Sequence, residues 1–105
     1  MIVVMNRVPV AEGHEEGFMD RFRSRSGLVD GQPGFIRNIV LKPIKGDFHV
    51  VMTFWERRDQ FDAWIRSEAF QEAHSRVPPA GMFKGHSELE IYEVGLDSAA
   101  PRSAA

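Results

Sequence analysis

The run Phe35-Ile36-Arg37-Asn38-Ile39-Val40-Leu41, then Lys42-Pro43-Ile44-Lys45-Gly46-Asp47, then Phe48-His49-Val50-Val51-Met52-Thr53-Phe54-Trp55, decides the fold. Two stretches rich in β-branched and aromatic residues flank a Pro- and Gly-containing connection, which is the pattern of a β-hairpin. In the second stretch Phe48, Val50, Met52 and Phe54 share one face by the period of two, while Val51, Thr53 and Trp55 share the other. Both faces are largely apolar, so this is a strand covered on two sides.

Working outward, residues 2–10 read as a strand with Ile2, Val4, Asn6, Val8 and Val10 on one face. Val3, Met5, Arg7 and Pro9 occupy the other. Between that strand and the hairpin, residues 12–29 read as a helix carrying Phe18, Phe22 and Val29 at spacings of four and seven. Glu12, Glu15 and Glu16 suit the positive end of its dipole, and Asp30-Gly31-Gln32-Pro33-Gly34 ends it. After the hairpin, residues 59–67 predict a short helix burying Phe61, Trp64 and Ile65. A second helix over 68–76 presents Phe70, Ala73, His74 and Val77 at spacings of three and four. Pro78-Pro79-Ala80-Gly81 stops it, and a loop runs to about His86. Leu89, Ile91 and Val94 form a last strand. The order β-α-β-β-α-β is the split βαβ, ferredoxin-like arrangement of an α+β domain.

That domain spans residues 1–96, and a tail over 97–105, made of Ser, Ala, Pro and Arg, is expected to be disordered. Helices from a 105-residue chain cover only one face of a four-stranded sheet, and strands apolar on both faces then leave a sticky patch on a monomer. A symmetric homodimer closing two sheets into a barrel removes that patch.

Composition narrows the function classes. With 43% hydrophobic and 27% charged residues the chain is ordinary for a globular protein. A net charge of -2 supplies no basic field for nucleic acid. The absence of cysteine removes disulfides, thiolate metal sites and cysteine nucleophiles. Ile2-Val3-Val4-Met5 is too short for a signal peptide or a membrane span, so the expected setting is cytoplasmic, with no membrane partner. No phosphate loop, HExxH or nucleophile elbow is present.

Three residues interrupt otherwise apolar faces: Asn6, Trp64 and His74. A buried amide or imidazole is costly unless something bonds to it. His74 is a candidate iron ligand, and a core histidine with a satisfied ring nitrogen is the plain alternative. Its lack of a second ligand at metal spacing argues against zinc. Haem, whose porphyrin supplies four nitrogens, needs only one protein ligand. Trp64 taken alone reads as core, and Trp55 reads as core more firmly still. Asn6 is either a bonded structural amide or a donor to a bound oxygen species. Arg25 either reaches a ligand carboxylate or snorkels at the surface. His14, His49 and His86 read as surface or loop residues.

The segments Met5-Asn6-Arg7-Val8, Arg21-Phe22-Arg23-Ser24-Arg25, Gln32-Pro33-Gly34-Phe35, Leu41-Lys42-Pro43-Ile44-Lys45-Gly46, Phe61-Asp62-Ala63-Trp64 and Ala73-His74 resemble the antibiotic biosynthesis monooxygenase superfamily over about residues 2–95. They resemble in particular its haem-degrading, IsdG-like branch, which the trio Asn6, Trp64 and His74 marks. The loop Val77 to His86 matches less well. The resemblance implies a dimeric α+β barrel in which haem is both cofactor and substrate, with O₂ and electrons from an unidentified external reductase. It implies His74 as the proximal, axial ligand of the haem iron and Asn6 as the distal donor to iron-bound oxygen. Trp64 would press the porphyrin out of plane, and Phe22 and Arg25 would also contact the haem. The products would be a linear tetrapyrrole and free iron. Two other readings share the cavity: a cofactor-independent monooxygenase of quinols or polyketides, and a haem storage or transfer protein.

Overall fold

Seven residues from Ile2 to Val8 form the central strand β1, and everything else is arranged around it. The computed structural model describes residues 1–23 and 27–99. After β1 come helix α1 (Glu15–Arg23), a single 3-10 turn (Leu28–Gly31), strands β2 (Phe35–Leu41) and β3 (His49–Trp55), helices α2 (Arg58–Ile65) and α3 (Glu68–Ala73), and strand β4 (Glu88–Glu93). The sheet order is β2-β3-β1-β4 with every neighbouring pair antiparallel. This is the ferredoxin-like α+β fold expected from the hairpin.

Register determines which residues share a face. Val4 pairs with Thr53 and Ile91, Asn6 with Val51 and Leu89, and Val8 with His49. All three helices pack on this side. The alternate set, Val3, Met5, Arg7, Val50, Met52 and Phe54, carries no helix. The Val51, Thr53 and Trp55 side is therefore the interior, and Trp55 has no exposed surface at all. On the open side Arg7 lies over the Phe48 ring at 4.7 Å and Arg37 over the Phe54 ring at 4.8 Å, so two guanidinium groups partly cover the apolar strip.

Four expectations need correction. The first helix is described only to Arg23, and Gly27 at φ +75 takes the left-handed conformation that ends helical geometry. Val29 consequently joins the cluster under α2 rather than the one under α1. Helix α3 stops at Ala73, so Val77 falls off the helical stripe and is 87% exposed. Ile65, at the last turn of α2, is exposed rather than buried. His49 is not a surface residue: β3 begins with it and it is 3% exposed.

The turn before β2 has a steric reason for its glycine. Gly34 adopts φ +81, and any Cβ there would overlap the Gln60 side chain. Gln60 in turn accepts the backbone N–H of Arg57 at 3.0 Å and so holds the start of α2 against the hairpin. Of the expected disordered tail, residues 100–105 lie outside the described residues, and Ala99 donates its N–H to Asp97 Oδ1 at 2.9 Å.

Candidate active site

The covered face of the sheet does not hold one continuous core. Val4, Trp55, Phe61 and Trp64 form one buried cluster, with Leu28, Val29, Phe35, Phe70 and Ile91 against it. Val8, Val10, Phe18 and Met82 form a second, with Phe22, Val40 and Val51 against it. Asn6 sits on β1 midway between Val4 and Val8 and belongs to neither. It is half-buried, and among the described residues its side chain makes no hydrogen bond. Its neighbour Leu89 is 59% exposed although its strand position points to the helix side. An amide at this seam keeps two apolar clusters apart, because merging them would strip water from groups with no replacement partner.

His74 caps the C-terminal end of α3. Its ring lies on the Phe70 ring, centroids 4.1 Å apart and planes 31° to one another. Its Nδ1 is 2.9 Å from the Phe70 carbonyl oxygen. A carbonyl only accepts, so Nδ1 carries a proton, and in the neutral ring Nε2 is the nitrogen with the free lone pair. The ring is exposed, not enclosed in an apolar cavity as the helical spacing predicted. The cause is the early end of α3, which leaves the side chain at the rim.

Trp64 is 6% exposed and meets Phe70 edge to face at 5.5 Å. Trp64, Phe70 and His74 thus form one chain of rings. Val4, two residues back from Asn6 on the same face, packs in the cluster that holds Trp64. Phe22 lies on the opposite wall, edge to face with Phe18 at 5.0 Å and packed near Val51, the strand partner of Asn6. Arg25 lies outside the described residues.

Two features were not legible in the sequence. Arg21 on α1 donates to the carbonyl oxygen of Arg76 at 2.8 Å, tying the helix of one wall to the segment after the other. Met82, from the loop that matched least, is among the most deeply buried side chains and packs under α1. No periodic signal surrounds either residue. A separate open concavity of about 450 Å³ is lined by Met1, Ile2, Glu56, Arg57, Arg58, Ile91 and Glu93. It lies at the far end of β1 from Asn6 and shares no residue with the His74 site. Among the described residues no helix is long and apolar enough to cross a membrane.

Residues 1–76 match the antibiotic biosynthesis monooxygenase family. The chain belongs to that family. A protein of Shouchella clausii named heme-degrading monooxygenase is 33% identical over 97 residues, covering 90% of each chain. A heme oxygenase of Mycobacterium tuberculosis described as mycobilin-producing is 34% identical over 97 residues, covering 91% of this chain and 90% of its own. The structure of the Mycobacterium tuberculosis heme-degrader MhuD with two hemes bound in its active site superposes with a TM-score of 0.78 at 32% identity, covering 92% of this chain and 98% of that one. Within the family, the chain is an IsdG-like member.

Proposed function

We propose that the protein is a haem-degrading monooxygenase that takes the haem iron on Nε2 of His74 and opens the porphyrin to a linear tetrapyrrole, releasing iron. The observation that carries this is the hydrogen bond from Nδ1–H to the Phe70 carbonyl, which makes Nε2 the lone-pair nitrogen of the neutral ring and leaves it at the exposed rim of α3. A single protein ligand suffices because the porphyrin itself supplies four nitrogens. The kinship with proteins named for heme degradation supports the same substrate.

When bound, haem supplies the iron at which O₂ is activated, with electrons from an external donor. The chain's own residues do the rest. His74, its ring braced by Phe70, would hold the iron. Trp64, locked among Val4, Trp55 and Phe61, would give the haem pocket a rigid wall. The Asn6 amide, which has no side-chain hydrogen bond among the described residues, would be available to donate its N–H to the bound ligand. Phe22 closes the opposite wall and excludes water.

Haemin titration tests this, with loss of the shifted Soret band followed after adding reductant under air. His74→Ala should lose the axial-ligand spectrum while keeping the fold. An unchanged ferric Soret spectrum in His74→Ala would show that His74 is not the ligand. A wild-type protein that shifts no Soret band would point instead to the cofactor-independent quinol or polyketide monooxygenase. A band that survives reductant under air would point to haem storage or transfer.

The protein also works as a homodimer in this reading. Support comes from the open sheet face, where no helix covers Met5, Ile39, Met52 and Phe54 and where Leu41 and Tyr92 are exposed. Sedimentation should give twice the chain mass of 11.9 kDa, and a monomer at micromolar concentration would remove this part of the proposal.

A further inference from the structure

The geometry points to Ser67 as a positioning residue that sets the orientation and tautomer of His74. Ser67 stands between α2 and α3 and is the N-cap of α3. Its hydroxyl donates to the Trp64 carbonyl at 2.6 Å and accepts the Phe70 N–H at 3.1 Å. The Phe70 carbonyl then accepts both the backbone N–H of His74 at 3.1 Å and its Nδ1–H at 2.9 Å. A polar thread therefore runs from the Trp64 carbonyl through the Ser67 hydroxyl and the two peptide groups that flank Phe70 to the imidazole. Beside it runs the ring contact of Trp64, Phe70 and His74.

Helix α3 has only six residues, too few to hold its geometry by internal hydrogen bonding alone. Its first turn is ordered by the Ser67 cap, and its last turn presents the Phe70 carbonyl to His74. A helix of one and a half turns transmits a loss at its first turn directly to its last. With the cap in place the carbonyl is aimed at Nδ1, and Nε2 is the basic nitrogen. A hydrogen bond to the second ring nitrogen also raises the donor strength of the first towards a metal. The thread ties this orientation to Trp64, so the ring that holds the ligand and the ring that bears on it move as one unit.

This inference rests on His74 being the iron ligand, and its test keeps the two separable. In the metal-free wild-type protein, long-range ¹⁵N–¹H correlation of the imidazole should show His74 as the Nδ1–H tautomer. An unconstrained imidazole favours Nε2–H instead. Ser67→Ala should shift the population towards Nε2–H, and Ser67→Thr, which keeps the hydroxyl, should restore the wild-type spectrum. With haemin bound and reduced under nitrogen, the iron–histidine stretching band should broaden and fall in frequency in Ser67→Ala and recover in Ser67→Thr. A wild-type Nε2–H tautomer would overturn the inference even if Ser67→Ala did not fold. So would identical tautomer populations and stretching bands in a folded Ser67→Ala. If His74→Ala leaves the ferric Soret band in place while the tautomer result holds, the ligand assignment fails and the thread stands as a structural device alone.

Discussion

The two clusters under the helices are built from different materials. Beneath α2 and α3, rings meet edge to face: Phe35 with Trp55 at 5.4 Å, Trp55 with Phe61 at 5.8 Å, and Trp64 with Phe70 at 5.5 Å. Beneath α1, Phe18 meets Phe22, Phe83 and His49, and the gap is filled by Met82 from an irregular loop. Interlocked large rings have few rotamers and fix their neighbours, whereas methionine adapts to what is beside it. The stiff side carries His74, whose ring the proposed ligand role would need in one orientation. The side with more give lies beyond Asn6, where the proposed haem would have to be accommodated.

The most damaging way to break that contrast is Trp55→Ala. Removing the fully buried hub of the stiff cluster should cost about 3–5 kcal/mol, read from urea denaturation. A loss under about 1 kcal/mol would mean that the cluster collapses readily and is not stiff.

Asn6→Leu sharpens the contrast by joining the two clusters. Replacing an unpartnered amide by an aliphatic group of similar reach should hold or raise the melting temperature. Turnover of haem should meanwhile fall roughly a hundredfold, the worth of one preorganised donor. Lower stability together with normal turnover would invert the assignment and make Asn6 structural.

The third effect is smaller and acts on the α1 side alone. Burial under Phe18 lowers the His49 pKa below that of a free imidazole, with Glu15 opposing and Lys42 adding to the shift. His49 is then neutral in the fold, while the unfolded chain takes up a proton near pH 6.5. Its contribution is complete above that value and is lost as pH falls through it towards the lowered folded value. Denaturation midpoints at about pH 7.5 and about pH 5, on either side of the free imidazole pKa, should drop on acidification more in the wild type than in His49→Phe. Equal drops would show that the buried imidazole plays no part.

The strand and helix identities were legible because their signals are local. The alternation of Phe48 to Trp55 and the apolar run of residues 2–10 depend only on neighbours along the chain. Asn6, Trp64 and His74 were likewise visible as exceptions on otherwise apolar faces. Which face of β3 lies inside was not legible, since Val51, Thr53 and Trp55 and their alternates are about equally apolar. The burial of His49 and Met82 was hidden for a related reason. Each is covered by the same segment distant in sequence, α1, whose Phe18 packs on both.

Residue order alone determined the β-α-β-β-α-β succession, the hairpin and the candidate trio, because propensity and periodicity act over a few residues. Only the tertiary structure decided that the core is two clusters parted at Asn6, and that His74 sits at the rim with its Nδ1 on the Phe70 carbonyl. Those outcomes depend on where α3 ends and how its first turn is capped against α2. They are set by contacts between elements whose relative placement no local pattern encodes.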